Sequence, residues 1–250
     1  MTPIERVLMA LAAAVLGAIL GSFIATLSLR WPGNQSVVKG RSACDSCGTT
    51  LRPADLIPLI SAALRRGRCR YCGAVIDPFH YRVELASAAI GGISLALSPG
   101  LAGAALALFG WLLLPLVLLD WRHFWLPNRL TLLLAATGLI AGGLLGTPLS
   151  GRLIGGAVAF IALEAIRLAY RRLRGRDGLG AGDPKLFGAI GLWLGWTLLP
   201  QVILLAAMLG LLSVLGRRQK VTKASALPFG AFLAVAAWLL AAVRTLSGAV

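Results

Sequence analysis

Long apolar runs, parted by short segments that hold most of its Lys and Arg, constrain this chain more than any other feature. About 20 apolar residues cross the hydrocarbon core of a bilayer. With no water there to bond the backbone, a spanning segment must satisfy its own N–H and C=O groups, so a helix is expected for each run. The first run covers residues 7–29, and others lie near 83–97, 101–119, 128–147, 151–169, 186–199, 200–215 and 227–247. The breaks are Ser98-Pro99-Gly100, the segment after Asp120, Gly146-Thr147-Pro148, the basic run 170–176, Leu199-Pro200 and Arg217-Arg218-Gln219-Lys220. Residues 186–215 can also be read as one helix, although Pro200 in the middle would break or kink it. The expectation is an all-α polytopic membrane protein of about eight transmembrane helices, or seven on that second reading. Only 13% of residues are charged and 58% are hydrophobic, whereas a soluble domain carries roughly 25% charged residues.

A formal charge of +15 raises nucleic acid as a partner, but its distribution excludes that reading. The basic residues follow the positive-inside pattern, in which Lys and Arg stay on the cytoplasmic side. If residues 30–82 are cytoplasmic, the Asp120 loop, the 170–185 loop and the 216–226 loop are too. Only Arg6, Arg152 and Arg244 then fall outside, which leaves 21 of the 24 basic residues inside. The N-terminus lies on the outer face in this orientation. The first run reads as a retained helix rather than a cleavable signal, because no basic N-terminal region precedes it and Arg30-Trp31-Pro32 follows it. Its Gly17, Gly21 and Ser22 let a neighbouring helix approach closely. Three parts result: a first helix over 1–29, a cytoplasmic domain over 30–82 and a transmembrane domain over 83–250.

The 30–82 segment holds all four cysteines, as Cys44-Asp45-Ser46-Cys47 and Cys69-Arg70-Tyr71-Cys72. Two C-x-x-C pairs with 21 residues between them can present four thiolates tetrahedrally, in the manner of a zinc ribbon. Arg41, Arg68 and Arg70 favour the thiolate form. So small a segment has little core, and a structural zinc would supply folding free energy. Four reduced cysteines without metal, or two disulfides in an oxidising compartment, are the plainer alternatives.

Carboxylates in or beside apolar runs are costly and therefore candidates for function. Four of the nine acidic residues qualify: Glu84, Asp120, Glu164 and Asp183. Glu84 is equally suited to anchoring its helix, and Glu164 to pairing with Arg167 one turn on. Asp120 opens Asp120-Trp121-Arg122-His123-Phe124-Trp125-Leu126-Pro127-Asn128, and Asp183 lies in Gly178-Leu179-Gly180-Ala181-Gly182-Asp183-Pro184-Lys185-Leu186. The glycines free the backbone to approach an extended substrate, and the helix N-terminus favours negative charge at Asp183. Lys185 is placed to lower a carboxylate pKa or to orient a partner. The charge pattern puts both aspartates at one membrane boundary. Two carboxylates there can share the work of amide hydrolysis, one taking a proton from water while the other gives one to the scissile amide. The structural alternative is that Asp183 only caps its helix and Asp120 only ends one. His123 suits either the Asp120 carboxylate or the headgroup region, and Trp121, Phe124 and Trp125 read as interfacial anchors. His80 has no partner motif.

These motifs resemble the type IV prepilin peptidases, bifunctional leader peptidases and N-methyltransferases, over almost the whole chain. Gly21-Ser22-Phe23 resembles the family's first-helix motif, and the C-x-x-C pairs with Leu56-Ile57-Pro58-Leu59 resemble its cytoplasmic domain. Glu84 stands where that domain returns to the membrane. The runs Asp120-x-x-His123-x-x-Leu126-Pro127 and Gly180-Ala181-Gly182-Asp183-x-Lys185-Leu186 are similar to its two catalytic motifs, and Pro228-Phe229-Gly230 to the opening of its last helix. The chain departs from the family at Ile24-Ala25-Thr26, where an asparagine is common, and at Asn128, where aspartate is common.

The resemblance implies an enzyme of the bacterial inner membrane that cleaves the basic leader of prepilins or pseudopilins at the cytoplasmic face. It further implies N-methylation of the new N-terminus with S-adenosylmethionine as methyl donor. Asp120 and Asp183 are then the catalytic pair, and Cys44, Cys47, Cys69 and Cys72 hold zinc. The substrate is engaged through its leader and N-terminal hydrophobic helix, and the bilayer is the other partner. No Gly-x-Gly-x-x-Gly loop marks a site for the methyl donor. A peptidase without methylation, a non-catalytic docking protein, and a proton relay through Glu84, Asp120, Glu164 and Asp183 are the rival readings.

Overall fold

A computed structural model describes residues 2–37, 42–44, 46–216 and 227–247. Arg41, Asp45 and the expected break at 217–220 lie outside them. The described residues are helical, with no strand and two isolated antiparallel bridges. Six helical stretches among them are long and apolar enough to cross a membrane, so the multi-pass character stands: Pro3–Gly33, Leu101–His123, Asn128–Leu145, Leu149–Arg174, Trp196–Gly216 and Phe229–Leu246. The chain divides into two compact units, Met1–Ala96 and Leu97–Val250.

In the first unit, α1 (Pro3–Arg30) starts on a capping box, Thr2 bonding the N–H of Glu5 while Glu5 bonds back. It runs antiparallel to α3 (Pro78–Leu97), and the glycines fix how close they come. A side chain on Gly21 would fall 2.7 Å from the Cα of Glu84, and one on Gly17 would strike the Ser87 carbonyl. Of the small residues expected to admit a neighbouring helix, Gly17 and Gly21 do so. Helix α3 begins at Pro78, five residues before the predicted start, because Asp77 accepts the N–H of Phe79 at the helix entry. His80, Tyr81, Arg82 and Glu84 in its first two turns keep it out of the most apolar set. Between the two helices the chain makes the short helix α2 (Ile60–Leu64) and the two cysteine turns.

The second unit is built around α7 (Asp183–Leu194). Its 12 residues span about 18 Å, too short for a core of about 30 Å. Protein surrounds it instead: α5 (Asn128–Ala141), α6 (Leu149–Arg174) and α9 (Phe229–Leu246) pack on it, α4 (Leu101–His123) packs on α9, and α8 (Leu199–Gly216) covers α9 from another side. Trp193 is fully buried, stacks on Phe109 at 4.9 Å and donates its indole N–H to the Leu134 carbonyl at 2.8 Å. Helices α6 and α7 meet backbone to backbone, because a side chain on Gly155 would lie 2.6 Å from Gly195 and one on Gly191 would strike the Gly155 carbonyl.

Two local expectations are corrected. The basic run 170–176 is mostly the last turns of α6, where arginines complement the helix dipole, and the helix stops only at Gly175 with φ 66°. Residues 186–215 are interrupted by Gly195 at φ 77° rather than by Pro200, which sits in the first turn of α8, where its missing N–H costs nothing. Arg152, a cation with no role expected of it, is buried and donates to the carbonyls of Gly138 and Leu139 at 2.7 and 3.1 Å, capping α5.

Candidate active site

Asp120 does not end α4. The helix runs one turn further and closes on Phe124, which takes a left-handed φ of 51° and donates its N–H to the Asp120 carbonyl. That turn leaves the Asp120 side chain directed inward, 5% exposed, with Oδ2 accepting the N–H of Ala231 at 2.8 Å. Ala231 lies in the first turn of α9, where backbone N–H groups have no helical acceptor and favour a negative partner. Asp183 is the first residue of α7 rather than its cap, the capping position being Gly182. Its side chain turns back so that Oδ2 accepts the N–H of Gly180 at 3.1 Å, and it too is 5% exposed.

The two carboxylates meet at Gly230. A side-chain carbon there would lie 2.8 Å from Asp183 Oδ1 and 3.1 Å from Asp120 Oδ2, so the two oxygens are no further apart than the sum of these distances. Both acids therefore border the space that glycine leaves vacant. The loops that carry them are packed together as well. A side chain on Gly182 would fall 2.7 Å from Leu126 Cβ, and one on Gly178 would fall 2.5 Å from the Tyr170 ring. Lys185 donates to Asn128 Oδ1 at 2.9 Å, tying the α7 end to the α5 end.

The other acidic candidates separate from this pair. Glu164 binds Arg167 through two hydrogen bonds on α6, the structural role expected for it. Glu84 lies in the first unit and accepts the Leu59 N–H at 2.8 Å, holding that residue at a left-handed φ of 61°. His123 is exposed on the last turn of α4. Trp121 and Phe124 are exposed, and Trp121 rests edge-on against Phe232 of α9. Sequence reading missed Ala231 as an anchor of Asp120, since a backbone N–H carries no residue signature; Pro228-Phe229-Gly230 was the available signal. It also missed Arg152, whose acceptors are carbonyls.

In the first unit the four cysteine sulfurs lie within 4.8 Å of one another. A zinc–sulfur bond of about 2.3 Å in a tetrahedron sets sulfurs about 3.8 Å apart, and Cys44 and Cys72 stand at 3.9 Å as free thiols. Both turns have one design. The first cysteine's N–H bonds the residue five on, its carbonyl accepts from a glycine four on, and Gly48 and Gly73 take φ of 68° and 71°. The Thr49 hydroxyl, 3.3 Å from Cys47 Sγ, and the Thr49 N–H together hold the Cys47 thiol down at about 6. Backbone N–H groups of Cys72 and Tyr71 lower Cys69. Although the Ala74 N–H favours its thiolate, Cys72 is pushed up to about 11 by burial and by the three sulfurs beside it. Four sulfurs so close are a site for a cation, and the four cysteines can hold a metal. Beside them a cavity of about 750 Å³ is lined by Ser22, Thr26 and Arg30 of α1, His80, Tyr81 and Glu84 of α3, and Asp55.

Comparison with known proteins agrees with this division. The family model described as the bacterial peptidase A24 N-terminal domain matches residues 15–97, and that of the type IV leader peptidase family matches residues 107–215. The chain is 41% identical over 209 residues, 81% of it and 67% of the relative, to a prepilin leader peptidase/N-methyltransferase of Burkholderia pseudomallei (strain 1026b). It is 36% identical over 205 residues to the protein of the same name from Aeromonas salmonicida (strain A449), covering 80% and 70% of the two chains. With the one from Pseudomonas aeruginosa it shares 34% over 210 residues, 82% and 72% of the chains. No solved structure matches.

Proposed function

The chain belongs to the type IV leader peptidase family, and from that premise we propose that it is a membrane aspartyl endopeptidase that removes the leader of prepilins or pseudopilins. The observation that carries this reading is the convergence of two buried carboxylates, Asp120 and Asp183, on the vacant space at Gly230. Burying two acids side by side is expensive unless they share a proton, and a docking scaffold gains nothing from it. In the proposed reaction the ionised member takes a proton from water as the oxygen attacks the scissile carbonyl. The protonated member gives its proton to the departing amide nitrogen. The Ala231 and Gly180 N–H groups hold the two side chains in place. Gly230 leaves room for substrate backbone between them.

The orientation follows the charge pattern, which puts the acids and the cysteine domain on the cytoplasmic side of the inner membrane. On this reading α3 and α7 complete eight membrane helices, α7 within a protein shell. The four cysteines fit zinc in donor type and spacing, and its role is structural because protein sulfurs fill all four positions. The second activity, N-methylation of the new N-terminus, needs S-adenosylmethionine, which supplies an electrophilic methyl group. The cavity beside the cysteines suits this donor, since Glu84 borders it and can face its cationic groups and Arg30 its carboxylate.

The test is cleavage of a prepilin, and methylation of a pre-cleaved pilin, by wild type, Asp120→Asn and Asp183→Asn. Both variants should insert and lose cleavage while retaining methylation. Cleavage at the wild-type rate by either one removes the proposed pair. A wild type that cleaves but never methylates leaves a peptidase alone.

A further inference from the structure

The segment between the cysteine turns carries apolar side chains that stand exposed among the described residues. Leu64 is 81% exposed, Ile60 56% and Ile57 44%. Ile60 and Leu64 are four residues apart on α2 and share one face. The cavity lies on the other side of this segment, lined there by Ser61, Ala62 and Ala63 but not by Ile57, Ile60 or Leu64. So large an exposed apolar cluster in so small a domain marks a surface that meets something other than water.

The bond from the Leu59 N–H to Glu84 decides the depth of this segment. Glu84 is six residues into α3, about 9 Å along its axis from Pro78. At the same level α1 presents Gly21, nine residues short of its end at Arg30, a further 13 Å or so along that helix. Leu59 is therefore held beside α1 and α3 and not beyond their ends. Arg82 is exposed on α3 two residues nearer the domain than Glu84, where the apolar run of that helix ends, and a cation at such an end is suited to lipid phosphates. Apolar side chains beside a cation at the end of an apolar run are the pattern of an interfacial anchor.

We propose that residues 56–64 dock on the bilayer itself, with Ile57, Ile60 and Leu64 entering the edge of the hydrocarbon of the adjoining leaflet and Arg82 meeting its phosphates. The cysteine domain is thereby laid on the membrane surface. Its occupant is phospholipid, and this goes beyond the proposed enzymatic reading without depending on it.

The experiment uses the full chain in nanodiscs of phosphatidylethanolamine and phosphatidylglycerol, with Leu64→Trp compared with wild type, whose seven tryptophans give a constant background. The added emission should fall about twofold with lipids brominated in the upper acyl chain and stay unchanged with aqueous iodide, as expected for burial at the acyl boundary. Quenching by iodide and not by bromolipid overturns the proposal. So does protection from iodide that appears only when prepilin is added, which would make the face a substrate-docking surface. Bound metal per chain reports folding; if Leu64→Trp loses its metal, Ile60→Trp is read in its place with the same expected and contrary results.

Discussion

Replacing Gly230 by alanine isolates the geometry of the proposed carboxylate pair from its chemistry, because both acids remain. The new methyl carbon would sit 2.8 Å from Asp183 Oδ1, 2.8 Å from Leu126 Cδ1 and 3.1 Å from Asp120 Oδ2. Close-packed interiors do not absorb such overlaps freely, so each oxygen must retreat by roughly half an ångström. Asp120 cannot turn away without stretching its 2.8 Å bond from Ala231, nor Asp183 without loosening that from Gly180. The two retreats add, and a displacement of about 1 Å at reacting groups lowers catalysis on the order of 100-fold. The cost to folding is smaller, about 1–3 kcal/mol for overpacking, because the clashing atoms are side-chain ends. The assay is kcat/KM for prepilin cleavage in detergent, with thermal unfolding as the control. Gly216→Ala, where an added carbon meets nothing within 4 Å, should match wild type in both measurements. Gly230→Ala that cleaves normally would refute the reasoning, because the space between the acids would then have no catalytic use.

Metal binding should be acid-labile. A metal needs thiolates; with Cys47 held at about 6 and Cys72 pushed up to about 11, affinity should rise with pH and collapse as pH falls through the Cys47 value, read as zinc released to a colorimetric chelator. Removing the metal should unfold the cysteine domain without unfolding the second unit, seen as proteolysis confined to residues before α3. Arg152→Ala should strip the carbonyls of Gly138 and Leu139 of their buried donor and lower stability by about 2–3 kcal/mol, visible as a depressed Tm with kcat little changed. Gly191→Leu should separate α6 from α7 and destabilise by more than the usual 1–3 kcal/mol of overpacking, because the obstructing atoms are backbone; low membrane yield and a lost unfolding transition would register it.

The apolar runs, the two C-x-x-C pairs and the two aspartate motifs were legible because each is a local pattern. Helix period, ligand type and glycine spacing are written residue by residue, and Glu164 with Arg167 could be paired from their spacing alone. Boundaries were less legible. The arginines after Tyr170 continue α6, since exposed basic residues suit a helix C-terminus as well as a loop, and α7 proved too short to cross a bilayer unaided. What only the tertiary structure decided is what faces what. Asp120 and Asp183 are 63 positions apart in the sequence, and nothing in either motif states that α9 brings Gly230 between them or that the Ala231 N–H holds one in place. Likewise, Arg152 reads only as a basic residue near the start of a helix until its carbonyl acceptors are seen. A sequence records side-chain types, whereas a site between helices depends on backbone donors, vacant glycine volume and distances that exist only once the helices are packed.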